Sequence, residues 1–135
     1  MTTISPDVAA KEIERWLDAK KVSASKRVAM ADSIDALVNA VQDGNLIVSD
    51  DGTQLTQILN CEVGSENPLK ELKYKLRVSV DELHKRMVGS QVKSTDIDGR
   101  LRAYASALTG QSYVNIGNLD SGDYSITTTI VNFFL

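Results

Sequence analysis

Apolar residues three and four positions apart recur in both halves of the chain and mark out helices. Ser5-Pro6-Asp7 opens the first. Ser5 suits an N-cap, and Pro6 falls at the first helical position, where a missing N–H is harmless. Ala9, Ile13, Trp16 and Leu17 line one face, while Glu12, Glu14 and Arg15 cover the others. That stripe stops at Leu17, because the next position on the face is Lys20; Lys20 and Lys21 suit the negative end of the helix dipole. Ser23 or Ser25 opens a second helix. In it Val28, Met30, Ala31, Ile34, Leu37, Val38 and Val41 form a wide stripe, and Gly44 sits where a left-handed C-cap belongs.

The pattern then changes. Asn45-Leu46-Ile47-Val48 predicts a short strand and Ser49-Asp50-Asp51-Gly52 a turn. Leu55, Ile58 and Leu59 resume helical spacing, although a strand is also compatible with this segment. Gly64 to Pro68 marks a break between the front half and the C-terminal half. From 69 to 78, Leu72, Tyr74, Leu76 and Val78 alternate with charged residues and favour a half-exposed strand. The spacing of Leu69, Leu72 and Leu76 is equally helical. Ser79-Val80-Asp81-Glu82 is a capping-box pattern for a helix carrying Leu83, Met87 and Val88. Ser94-Thr95-Asp96 caps another, with Ile97, Leu101, Tyr104, Ala105 and Leu108 on one face and Gly110 at its end. Over 124–134 two readings stand. Ser121-Gly122-Asp123 can cap a helix in which Ile126, Ile130 and Phe134 share a face, but the β-branched run from Thr127 to Val131 prefers a strand.

These elements predict an α+β fold, mainly α-helical, with a small β-hairpin or a two-to-three-stranded sheet. The whole of 1–135 reads as a single domain: a helical hairpin over 1–44, a strand and turn region over 45–78, and a helical region over 79–135. At 135 residues the chain can bury roughly two-thirds of its unfolded surface and needs no staple. With 42% hydrophobic and 24% charged residues it has a globular rather than a disordered balance. A net charge of −3 argues against general binding to a phosphate backbone. The single cysteine, Cys61, excludes an intrachain disulfide and reads as a small half-buried hydrophobe; a reducing compartment is expected. Met1 to Ser5 is mostly polar and no apolar signal segment follows, so an intracellular protein is expected.

Catalytic constellations find little support. One His and one Cys do not make a transition-metal site, and neither Asp50-Asp51-Gly52 nor Asp96-Ile97-Asp98-Gly99 continues into a calcium-binding ligand series. No Gly-x-Ser-x-Gly elbow and no phosphate-cradling glycine loop occurs. Asp120 and Asp123 read as acids favoured at a helix start. The one basic concentration is Lys70, Lys73, Lys75, Arg77, His84, Lys85, Arg86, Lys93, Arg100 and Arg102. It reads as a solvated face, or else as a docking site for an acidic partner, and few aromatics interleave with it for base stacking. No enzyme, no cofactor and no metal are expected.

The C-terminal half carries a resemblance. Lys73-Tyr74-Lys75-Leu76-Arg77, then Ala107-Leu108-Thr109-Gly110, then Asp120 and Asp123-Tyr124, then the apolar run Val131 to Leu135, stand in an order that resembles tail assembly chaperones of long-tailed bacteriophages. The resemblance covers about 72–135; the first fifty residues depart from the shortest family members and read as an added helical hairpin. It implies a non-catalytic assembly factor in the host cytoplasm, absent from the mature virion. Its partners would be the tape measure protein, whose long apolar helices it keeps soluble, and tail tube subunits, with a homo-oligomer as a competing use of the same surface. Masking a partner's apolar surface needs a complementary one, for which the candidates are Tyr104, Leu108, Tyr124, Ile130, Phe133 and Phe134. For each of these, ordinary core packing is the competing reading. Members of the family often occur in two lengths through a programmed frameshift, and Phe133-Phe134-Leu135 can be encoded by a slippery U-UUU-UUA run. The rival readings are a structural phage protein such as a head–tail connector subunit, a small helical regulator binding nucleic acid through residues 70–102, and a bacterial domain with no phage connection.

Overall fold

The structure is a computed structural model that describes residues 4–93 and 95–135. In chain order its elements are α1 (Pro6–Lys20), α2 (Ala24–Ala29), α3 (Ala31–Gln42), β1 (Leu46–Val48), β2 (Leu55–Val63), β3 (Leu69–Tyr74), α4 (Val80–Gly89), α5 (Ile97–Thr109), α6 (Tyr113–Gly117) and α7 (Ser121–Val131). A 3₁₀ turn over Asn132–Phe134 follows α7. The fold is thus α+β and mainly helical, with a three-stranded antiparallel sheet in the order β1-β2-β3.

Local chemistry explains most of the boundaries. The hydroxyls of Ser5, Ser23 and Ser79 accept the main-chain N–H of Val8, Lys26 and Glu82, which caps α1, α2 and α4. Gly44 closes α3 in the left-handed region at φ +80°: its N–H reaches Val41 O and the Asn45 N–H reaches Ala40 O. The residues expected to face inward on α1, Ala9, Ile13, Trp16 and Leu17, are all buried. Met1 to Thr3, and the Ser94 expected in the cap of α5, lie outside the described residues; Asp96 supplies that cap, accepting the Gly99 N–H at 2.9 Å.

Several expectations need correction. The second helix is two: the chain breaks at Met30 (φ −108°, ψ 27°), and Val28 turns to solvent while Leu37, Ala40 and Val41 of α3 enter the core. Leu55 to Leu59 is a strand. Its inward positions are Leu55, Gln57 and Leu59, a period of two that the polar Gln57 disguises. The β3 strand ends at Tyr74, after which the Lys75 N–H leaves the sheet for Leu108 O on α5. Gly64 to Pro68 joins the paired strands β2 and β3 and divides nothing. The short helix α6 carries no stripe long enough to be read from sequence.

The last segment, 121–131, is helical despite its β-branched run. Thr128 and Thr129 turn their hydroxyls back to the Ser125 carbonyl, Thr127 gives its hydroxyl proton to the Gln57 side chain, and Asp120 accepts the Gly122 N–H as N-cap. Burial decides the outcome. Asp123, Thr127, Ile130 and Val131 lie on one face and are enclosed.

The core fills the space between the inner face of the sheet and the helices, and draws on residues from Ala9 to Phe133. Leu46, Val48, Leu55, Leu59, Leu72 and Tyr74 come from the strands. From the helices Trp16, Leu37, Val41, Leu108 and Ile130 close over them. Each large side chain buried there contributes roughly 1.5–3 kcal/mol before entropy is counted. Trp16 meets the ring of Phe133 edge-on, with centroids 5.6 Å apart at 79°. The apolar end of the chain is therefore docked along α1.

Candidate functional site

The six residues proposed for partner contact fall in four places. Leu108, Ile130 and Phe133 belong to the interior. Phe134, half-buried, lies against Trp16, and Lys20 Nζ stands 3.4 Å from the centre of its ring. Tyr104 lines an apolar recess, while Tyr124 lines a different one. Tyr104 and Tyr124 are thus not brought together. Leu108, Ile130 and Phe133 fail to reach the surface because each repeats at helical spacing with the buried residues around it.

The recess that holds Tyr104 has a volume of about 260 Å³ and is walled by Ile97, Arg100, Leu101, Tyr104 and Leu135. The first turn of α5 runs past the edge of the core, leaving Ile97 74% exposed, and Leu135 is 59% exposed. Two large aliphatic side chains therefore face water beside one pocket, a pattern that marks an interaction surface more often than an isolated exposed Leu does.

Arg100 lines this recess, Lys26 reaches its Leu135 wall, and Lys20 and Arg77 stand near Lys26 at the end of α1. Lys26 Nζ donates to the main-chain oxygens of Phe133 at 3.3 Å and Leu135 at 3.1 Å. Lys20 Nζ donates to Leu76 O at 3.4 Å, and Arg77 Nη2 to Ala19 O at 3.2 Å. Among the described residues none of Lys20, Arg77 and Arg100 forms an ion pair. Partial burial, with Arg77 and Lys26 nearby, lowers the Lys20 ammonium to about 8. Lys20 and Lys26 come from the front half of the chain, which is why a search for runs of charge did not group them with Arg77.

The basic concentration seen in the sequence is different in kind. Lys70 pairs with Glu62, Lys73 with Glu71, Lys75 with Glu82 at 2.9 Å, and Lys85 with Asp81 at 3.2 Å. Much of that charge is thus balanced locally, which weakens the case for phosphate binding there.

Reactive groups have little to work with. His84 is exposed on α4. Cys61 is exposed on β2 rather than half-buried, and the Asp120 carboxylate pushes its thiol up, away from the nucleophilic thiolate. Cys61, Asp120 and Asp123 each bring one ligand atom within 4.8 Å of the others. Both Asp123 oxygens, however, already accept main-chain N–H groups, from Asn60 and Cys61 at 3.0 Å each. Asp123 lies in the first turn of α7, as expected of an acid at a helix start, and also holds a strand in place. Among the described residues no helix is long and apolar enough to cross a membrane. Comparison with family models, with curated proteins and with solved structures gave no match to this chain.

Proposed function

We propose that this protein is a non-catalytic binding partner, a phage tail assembly chaperone that holds the tape measure protein soluble while tail tube subunits polymerise around it. The observation that carries the reading is the recess of Ile97, Leu101, Tyr104 and Leu135, with Arg100 in its wall and Lys26 on the main-chain oxygen of Leu135. Apolar walls with a cationic border fit an amphipathic helix whose apolar face carries one or two large anchors and whose flanks carry Asp or Glu. The order of motifs from Lys73 to Leu135 supports the same reading, and it connects such a helix to the long apolar segments of a tape measure protein. Work of this kind is stoichiometric and takes place in the host cytoplasm.

The test is co-expression with the tape measure protein that the proposal requires among the neighbouring genes, followed by pull-down and by mass spectrometry of purified particles. The expected result is a soluble complex in the cell and no copies in the virion. Copies retained in the virion point instead to a structural subunit such as a head–tail connector. Failure to capture the large protein overturns the proposal.

A further inference from the structure

A cleft of about 580 Å³ lies between the end of α4, the middle of α5 and the start of α6, and it shares no residue with the recess at Ile97. Lys85, Arg86, Ser90, Ser106, Ser112 and Tyr113 supply its polar wall, and among the described residues no Asp or Glu lines it.

Arg86 is built into this wall. The buried Ser106 hydroxyl donates to Gln111 O at 2.6 Å and accepts from Arg86 Nη1 at 3.3 Å, which ties the guanidinium of α4 to α5. Arg86 Nε and Nη2 make no hydrogen bond among the described residues, and both keep accessible surface. Nor does Arg86 form an ion pair there. A cation in the last turn of α4 suits that helix's dipole, but the dipole leaves those two donors unused. Lys85 adds a second charge. Its 3.2 Å pair with Asp81 joins two largely exposed side chains, so it yields to a competing anion at little cost. The hydroxyls of Ser90 and Tyr113 are accessible and have no partner among the described residues, and Arg102 Cζ braces the Tyr113 ring at 5.1 Å. The main-chain N–H groups of Ser90 and Gln91 are already bonded to Arg86 O and Val88 O, so an anion here is held by side chains alone.

We infer that this cleft binds a phosphate monoester carried on a small molecule. The open side of the Arg86 fork matches two phosphate oxygens, Lys85 balances the second negative charge, and the hydroxyls donate to what remains. Two cations with no carboxylate beside them in the wall favour a dianion over a singly charged carboxylate. The volume lies in the range of small-molecule sites and leaves room for an organic remainder beside Tyr113 and Val114. A single phosphate needs only this pair of cations, whereas a polynucleotide backbone needs a run of unbalanced ones. The site does not depend on the chaperone reading.

The test follows the main-chain amide resonances of Ser90, Gln91, Ser106 and Tyr113 by NMR at constant ionic strength, with sodium chloride as the baseline. Inorganic phosphate and phenyl phosphate should both give saturable shifts at these positions. Phenyl phosphate should bind at least threefold tighter than inorganic phosphate, and acetate at least tenfold more weakly. Gly89 lines the cleft, and a Cβ there would meet nothing within 4 Å. Gly89→Glu should therefore keep the fold and weaken phenyl phosphate at least tenfold, while Gly89→Gln, of the same size without the charge, changes it less than threefold. Arg86→Lys, which keeps the charge and loses the fork, should weaken it about threefold to tenfold. Shifts that never saturate, acetate as tight as phosphate, or equal effects of Gly89→Glu and Gly89→Gln overturn the inference. Phenyl phosphate no tighter than inorganic phosphate overturns the small-molecule assignment, as does tighter binding of a capped peptide carrying one phosphoserine.

Discussion

Gln57 and Asp123, 66 residues apart, are joined inside the protein by a hydrogen bond of 2.8 Å from Gln57 Nε2 to the Asp123 main-chain oxygen. The Gln57 carbonyl accepts from Tyr74 at 2.7 Å and from Thr127 at 2.9 Å. The Asp123 carboxylate takes the Asn60 and Cys61 N–H groups, on a stretch of β2 where the pairing with β3 is irregular. This network fastens α7 to the middle of the sheet, which positions the chain end against α1.

Asp123→Ala leaves two strand N–H groups without their acceptor. The expected loss is about 2–3 kcal/mol, read as a lower urea midpoint with an unchanged slope. A loss under about 0.5 kcal/mol would mean that water replaces the carboxylate without penalty.

Gly52 and Gly64 form a matched pair. Both have positive φ, +77° and +92°, but a Cβ at Gly52 would lie 2.5 Å from Arg15 O, whereas nothing lies within 4 Å of one at Gly64. Gly64→Ala should cost about 1–2 kcal/mol, the backbone term alone. Gly52→Ala should cost distinctly more, because the turn after β1 must also move off α1. Thermal unfolding of the two variants checks the order, and equal losses contradict it.

Burial pushes the Tyr74 phenol far above its ordinary value. Its protonated form is favoured by folding, so this contribution is complete below about pH 10 and is lost as the pH rises further. Ultraviolet titration of the four tyrosines should leave one un-ionised until the protein unfolds. Ionisation of all four in the native state near pH 10 would contradict the buried network.

Lys20 works in the opposite direction. With its folded value at about 8, below the 10.5 of a free lysine, the unfolded chain holds more protons between these limits. Stability from this group therefore rises as the pH climbs from about 8 to about 10.5, and at lower pH the cation is held at a cost. The Cε resonance of Lys20 should titrate near pH 8, well before those of exposed lysines. Phe134→Leu should lower it further by removing the ring face that favours the cation.

How much was legible in the sequence depended on what made each element. Caps are local, so Ser5, Ser79 and Gly44 marked their helix ends, and Ser23, one of two candidates with Ser25, opens α2. The strand through Gln57 and the helix through Thr127 to Val131 were obscured for one reason: tertiary hydrogen bonds and burial overrode the local pattern. The candidate contact residues show the same limit. Helical spacing identified Leu108 and Ile130 as apolar, but periodicity alone does not tell an enclosed face from an open one. Ile97 shared the stripe of Leu108, yet it lies one turn past the edge of the core. Lys20 and Arg77 meet because Leu76 and Arg77 pass the end of α1, and Lys26 stands near them while bonding the main-chain oxygens of Phe133 and Leu135.

The most direct measurement compares capture of the co-expressed tape measure protein by the wild-type chain and by Ile97→Glu. Ile97 is 74% exposed, so the substitution should leave the urea midpoint unchanged. Placing a carboxylate in the apolar contact should reduce the captured, soluble tape measure protein at least tenfold. Equal capture by the two proteins, or no capture by the wild type, would contradict the account.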